Sequence, residues 1–236
     1  MGTLSNRYLI SMNKKELLCG GICWAIYILP MILLPLLPFE FNTLREAFLA
    51  NLTIYVVNFA AALLLLRGFL FRSAQPLRRN GKVVCRSVLG GYLRYYGMSL
   101  ALTILLSLIP MQPQNINQTG VNSFLQAYPA AMVLCTVLLV PVSEELLVRG
   151  VIFGSLCRKS PLLAYLVSSV LFAGMHIFST IGQQSALEIL LVFLRYLPAG
   201  LALGWVYQRT SNILGPIFLH MLVNLLAVIM TFLEVA

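Results

Sequence analysis

The chain has 236 residues, of which 60% are hydrophobic and only 10% charged, with a formal net charge of +9. Soluble domains run near 45–50% apolar and about 25% charged, and a compact soluble chain of this length cannot hide so much apolar surface. Together with a mean hydropathy of +0.90, these values exclude a soluble globule, a disordered tail and a fibrous repeat, and leave a polytopic membrane protein.

A spanning helix needs about 20 mostly apolar residues. Runs of that kind occur at about 17–38, 47–71, 88–110, 124–157, 161–180, 187–208 and 212–234. The expected fold class is therefore all-α: a polytopic membrane helix bundle of about seven transmembrane helices, forming a single membrane domain over 1–236. The first run follows Lys14 and Lys15. Its apolar stretch is too long for a signal peptide and ends in Pro35-Leu36-Leu37-Pro38 without a small-residue cleavage pattern, so it reads as a retained span. The fourth run is overlong and carries Pro129 and Pro141, which predicts an interfacial turn before it or a kink within it. Residues 1–123 then hold three spans with a basic loop, and 124–236 hold a four-span core.

The cations lie between the apolar runs. Arg7, Lys14 and Lys15 precede the first span, and Arg72, Arg78, Arg79, Lys82 and Arg86 fill the loop between the second and third. Arg158 and Lys159 separate the fourth and fifth, and Arg209 lies between the sixth and seventh. The alternate loops hold only Arg45. This alternation is a topology signal. It places the N-terminus in the cytoplasm and the C-terminus on the opposite side of the cell membrane, and it argues against nucleic acid as a partner. The basic loop also suits anionic lipid. The five cysteines form no C-x-x-C pair, so neither a disulfide framework nor a zinc ribbon is expected; Cys19 and Cys23 read as small apolar filler.

All seven acidic residues are Glu, and two of them stand together in Pro141-Val142-Ser143-Glu144-Glu145-Leu146-Leu147-Val148-Arg149-Gly150. Titratable groups at membrane depth are costly and face the bundle interior. Glu145 and Arg149 are spaced i, i+4 with the acid first, the better orientation for a helical ion pair. Glu144 points about 100° away around the helix and is left without that partner, which makes it a candidate proton acceptor and donor. The structural alternative is one salt-bridge cluster that contains both acids. Ser143 reads as helix-face filler. The fifth span carries Phe172 and His176 one turn apart, so that the ring shields the imidazole, with Gly174 between them allowing close helix approach. The seventh carries His220 and Asn224, again i, i+4. Glu144 and His176 lie roughly 21 and 22 Å from the cytoplasmic flank, and Asn224 and His220 roughly 18 and 12 Å, at 1.5 Å per residue. Arg195, inside the sixth span and two turns from Glu188, reads as a structural cation that pairs with a glutamate or snorkels, and Arg94 as an anchor.

Glu144-Glu145-x-x-x-Arg149, Phe172-x-x-x-His176 and His220-x-x-x-Asn224 resemble, in order, the three motifs of the CAAX-protease and bacteriocin-processing (CPBP, or Abi) family. Its members are intramembrane glutamate endopeptidases that include the type II CAAX prenyl proteases. The resemblance runs from Pro141 to Asn224. It implies that Glu144 is the general base that activates water and that His176 helps hold the water. It further implies that His220 and Asn224 form the oxyanion site, with Glu145 and Arg149 as the supporting ion pair. The residue chemistry agrees, because peptide hydrolysis needs an activated water and donors aimed at the developing oxyanion. Two His and one Glu could also ligate Zn²⁺. However, no H-E-x-x-H is present, and Asn224 and the Arg-paired Glu have no place in a zinc scheme, so no cofactor is expected. The implied function is intramembrane hydrolysis of a peptide bond in a membrane-bound peptide or protein substrate. The basic loops and the absence of a targeting extension look bacterial, and so point to a peptide, bacteriocin or signalling precursor. The alternatives are a non-catalytic immunity or scaffold protein of the same fold, and an ion-coupled transporter using Glu144 and Glu188 as proton sites.

Overall fold

The computed structural model describes residues 9–34, 41–75 and 77–235. Arg7, Glu40 and the Pro35-Leu36-Leu37-Pro38 segment lie outside the described residues, as do the side chains of Arg78 and Arg79. Helix α1 (Lys14–Leu33) starts at a capping box in which Asn13 and Glu16 exchange side-chain and backbone bonds. Helix α2 (Leu44–Leu65) is capped by Thr43. It leads through Leu66 into the short α3 (Arg67–Ala74). Helix α4 (Leu77–Ser107) is 31 residues long and leaves helical geometry at Asn80.

The overlong fourth apolar run divides in two. Its first residues belong to a separate helix, α5 (Ile116–Ala127), capped by Asn115. The backbone breaks at Tyr128, and α6 (Pro129–Cys157) starts with proline in the first turn, where its missing N–H costs nothing. Two wider π-type turns, Cys135–Leu139 and Leu146–Phe153, interrupt α6 on either side of Pro141. The expected turn is present at Tyr128, and within the helix the irregularity takes the form of π-type turns. Helix α7 (Pro161–Ile177) follows a Ser160 cap, and α8 (Ala186–Thr210) opens on a Ser185–Glu188 capping box and ends at left-handed Ser211. Helix α9 (Leu214–Val235) completes the bundle. Among the described residues there is no strand.

Among the described residues, six helices are long and apolar enough to cross a membrane: α1, α2, α6, α7 with its terminal turn, α8 and α9. The third expected span, 88–110, falls on α4 up to Ser107, and α4 is not among them. Tyr92, Arg94, Tyr95 and Tyr96 interrupt its apolar stretch, although at 31 residues it is long enough to span. Helix α6 is the central element and touches α1, α2, α7 and α9, while α8 packs against α7 and α4. Leu18, Leu64, Leu89, Leu105 and Leu233 are more than half exposed on the outer faces, as expected where lipid is the solvent.

Close backbone approach occurs at Gly200 of α8, where a Cβ would meet Cα and Cβ of Ser169 at 2.8 Å. The expected role for Gly174 does not hold, because a Cβ there would meet nothing within 4 Å. The cation-bearing connections meet at one end. Arg158 bonds Ser11 (2.9 Å), Arg72 grips Glu16 (2.7 Å), and the Ile213 amide donates to Ser73 (3.1 Å). At the opposite end the Gln184 side chain donates to the Gln114 carbonyl (2.8 Å).

Candidate functional site

The three polar islands of α6, α7 and α9 converge. Glu144, Phe172, His176, His220 and Asn224 all line one cavity of about 550 Å³. Glu145 and Arg149, both fully buried, stand behind its wall. Arg149 donates to Glu145 Oε1 (3.0 Å), as the i, i+4 spacing predicts, and also to the Gly200 carbonyl (3.0 Å). The same Glu145 oxygen accepts from His220 Nδ1 at 2.9 Å. Glu145 therefore does more than neutralise Arg149, because it also fixes the orientation of the α9 imidazole and leaves Nε2 as its other ring atom.

Glu144 takes no part in that ion-pair cluster, and among the described residues it forms no salt bridge. The alternative of one cluster holding both acids is therefore not what the fold builds. Oε1 of Glu144 does have a partner, the Tyr27 hydroxyl of α1, which donates to it at 2.8 Å. Its other oxygen, Oε2, has no hydrogen-bond partner among the described residues. Ser143 turns its hydroxyl back onto the Leu139 and Val140 carbonyls (3.0 Å each), consistent with a filler role.

His176 is held by geometry of another kind. Its Nδ1 lies 2.8 Å from the Phe172 carbonyl, which can only accept, so Nδ1 carries the proton and Nε2 keeps a lone pair while the ring is neutral. The ring sits between Phe172 (centroids 4.6 Å) and Tyr196 (4.5 Å). Phe172 also meets the His220 ring edge-on at 5.6 Å, and the Arg149 guanidinium lies over its face at 4.7 Å. It thus separates three cationic or protonatable groups rather than only shielding one. The Tyr196 hydroxyl accepts from Asn115 (2.8 Å) and Asn117 (3.4 Å) at the start of α5.

Asn224 donates to the Thr136 carbonyl at 2.7 Å. That carbonyl is open because of the first π-type turn. The Val140 amide reaches back five residues to Cys135, so the next such partner, for Thr136, would be Pro141, which has no N–H. Pro141 and Asn224 thus act together on one carbonyl. Among the described residues no group of three His, Cys, Asp or Glu is arranged to hold a metal ion.

The remaining expected residues lie elsewhere. Glu188 is an exposed N-cap partner of Ser185, which removes it as an intramembrane proton site. Arg195 donates to the Gln112 side chain (3.0 Å) rather than to a glutamate. Arg94 is exposed over the Trp205 ring at 3.8 Å, as an anchor would be. Tyr27, Tyr196 and Thr136 were not foreseen from the sequence. Their partners lie far along the chain, and no local spacing signals them.

The geometry is that of a buried carboxylate facing imidazole and amide groups inside a membrane helix bundle. A family model described as type II CAAX prenyl endopeptidase Rce1-like matches residues 126–226. The chain is similar to "Putative membrane peptidase YdiL" of Bacillus subtilis (strain 168), 27% identical over 182 residues that cover 74% of this chain and 70% of that protein. It is also similar to UPF0177 protein YxdF of Lactococcus lactis subsp. lactis (strain IL1403), 34% identical over 136 residues that cover 54% of this chain and 68% of that protein. No solved structure gives a significant match. The chain belongs to the CPBP family of membrane proteases.

Proposed function

We propose that the protein is an intramembrane endopeptidase in which Glu144 activates water to hydrolyse a peptide bond without a metal. The observation that carries this reading is the isolation of Glu144. It faces the cavity with one oxygen tied to Tyr27 and the other unpartnered, while its neighbour Glu145 is committed to Arg149 and His220. Glu144 would take a proton from water as the water oxygen bonds to the scissile carbonyl carbon. The His176 Nε2 lone pair would accept the water's other hydrogen. The oxyanion would be met by the Asn224 amide and by His220 Nε2–H in the ring's doubly protonated form, balanced by Glu145. When the C–N bond breaks, Glu144 would return its proton to the leaving nitrogen.

The substrate proposed is a membrane-associated peptide or protein. The Bacillus and Lactococcus relatives are bacterial, which supports a peptide, bacteriocin or signalling precursor over a prenylated protein. The cation pattern supports a cytoplasmic N-terminus and a C-terminus on the other side, in contact with the lipid bilayer. Grouping of the three motifs on 124–236 supports that segment as the chemical core.

The test reconstitutes the protein in vesicles with lipid-anchored quenched-fluorescent peptides, some carrying a farnesylated CAAX end and some a plain acyl anchor. Cleavage sites are read by mass spectrometry. Glu144→Gln, His176→Ala and His220→Ala should each lower turnover by about 10²–10⁴-fold. Full activity in a well-inserted Glu144→Gln protein would sink the glutamate mechanism. Activity should survive EDTA, whereas loss on chelation with rescue by Zn²⁺ would overturn the metal-free route.

A further inference from the structure

Helix α1 lies outside the segment matched by the family model, residues 126–226, yet one face of it is built against α6 and the cavity. Glu16, Gly20, Cys23 and Tyr27 follow one another at four, three and four residues, which keeps them on one stripe of the helix. Glu16 is gripped at both oxygens by Arg72 of α3 (2.7 Å each), which fixes the lower end of the stripe. Cys23 is buried, 3% exposed.

Gly20 meets the second π-type turn of α6. A Cβ there would come within 2.5 Å of Val151 Cγ2, so only glycine lets the two helices approach this far. Two turns further along the same stripe, the Tyr27 hydroxyl reaches Glu144 Oε1 at 2.8 Å. The Tyr27 ring is steadied edge-on by Trp24, with centroids 6.2 Å apart.

We infer that Tyr27 is a positioning residue for the peptidase reaction, holding Glu144 by one oxygen and leaving the other, buried and unpartnered among the described residues, as the one that takes the proton from water. The inference rests on the proposed role of Glu144. A carboxylate on a free two-carbon arm samples several rotamers, and a catalytic base displaced by about 1 Å loses on the order of 10²-fold in rate. Tyr27 restricts this motion, and the Arg72 clamp and the Gly20 contact set how far α1 can reach. The N-terminal part of the chain thereby takes part in the chemistry and not only in anchoring.

The experiment uses the full chain in vesicles with the lipid-anchored quenched-fluorescent peptide. Tyr27→Phe keeps the ring and removes only the hydroxyl. It should lower kcat by about 10–100-fold with KM and thermal stability near the wild-type values. Gly20→Ala should lower kcat in the same direction by pushing α1 from Val151, and Gly20→Ala/Val151→Ala should recover most of the loss. A Tyr27→Phe protein with wild-type kcat overturns the inference, as does a loss confined to KM. Should Tyr27→Phe fail to insert, the glycine–valine pair decides: an unchanged kcat in Gly20→Ala, or no recovery in the double variant, also overturns it. Glu144→Gln run alongside separates the two readings. If that variant stays active, the glutamate mechanism itself is wrong; if it is inactive while Tyr27→Phe is fully active, only the role of Tyr27 is wrong.

Discussion

Arg149 shows how much one fully buried side chain can hold. It is 0% exposed and bonds Glu145 and the Gly200 carbonyl, and its guanidinium covers the Phe172 ring. Removing one partner of a buried pair leaves an uncompensated charge, which typically destabilises by about 3–5 kcal/mol. Arg149→Leu should therefore fail to accumulate or show a sharply lowered Tm in detergent, whereas Glu144→Gln, which breaks no ion pair, should unfold near the wild-type temperature. Equal stability of the two variants would refute this division of labour between the adjacent acids. The Glu145–Arg149 pair was legible from spacing because it is local to one helix turn. The bond from the same Glu145 oxygen to His220 was not, since it joins residues 75 apart in sequence. Tyr27 was hidden for the same reason: a tyrosine in an apolar run carries no signal until the fold shows that its hydroxyl meets Glu144.

At the scale of the element, α6 departs from a plain helix where the site needs exposed backbone. The expected proline effect was legible, but its form was not. Pro129 starts the helix, and Pro141 sits between two π-type turns, where it leaves the Thr136 carbonyl open for Asn224. Pro141→Ala would supply an amide that competes for that carbonyl. The expected outcome is a several-fold lower kcat with normal insertion, because Asn224 loses the bond that aims its amide while the protein keeps its core. A normal rate in Pro141→Ala would mean that Asn224 is oriented by something else. Gly174 and Gly200 make a similar point about the limits of composition. Both are glycines in apolar helices, but only Gly200 sits at a helix crossing, and sequence alone does not say which face meets a neighbour.

For the whole molecule, the alternation of cations and the fold agree. The cation-rich segments around Arg72 and Arg158 converge at one end, tied to Glu16 and Ser11 near the start of α1. The cavity runs the other way. Asn51, Asn117, Gln118 and Gln183, which belong to the cation-poor end of α2, to α5 and to the turn after α7, line it together with Glu144. If the cation-rich end faces the cytoplasm, as proposed from the charge pattern, a substrate would reach Glu144 from the outer side, past α5 and its Asn115 and Asn117 contacts with Tyr196. Single cysteines placed in a cysteine-free background test this directly. A cysteine at Gln118 or Gln183 should react with a membrane-impermeant maleimide on intact cells, whereas the native Cys85, exposed on the cation-rich side, should react only after permeabilisation. Labelling Gln118→Cys or Gln183→Cys should also block cleavage of the lipid-anchored peptide, because the added group stands in the path to Glu144. The reverse labelling pattern would invert the orientation and turn the cavity mouth toward the cytoplasm, and with it the side from which substrates are drawn.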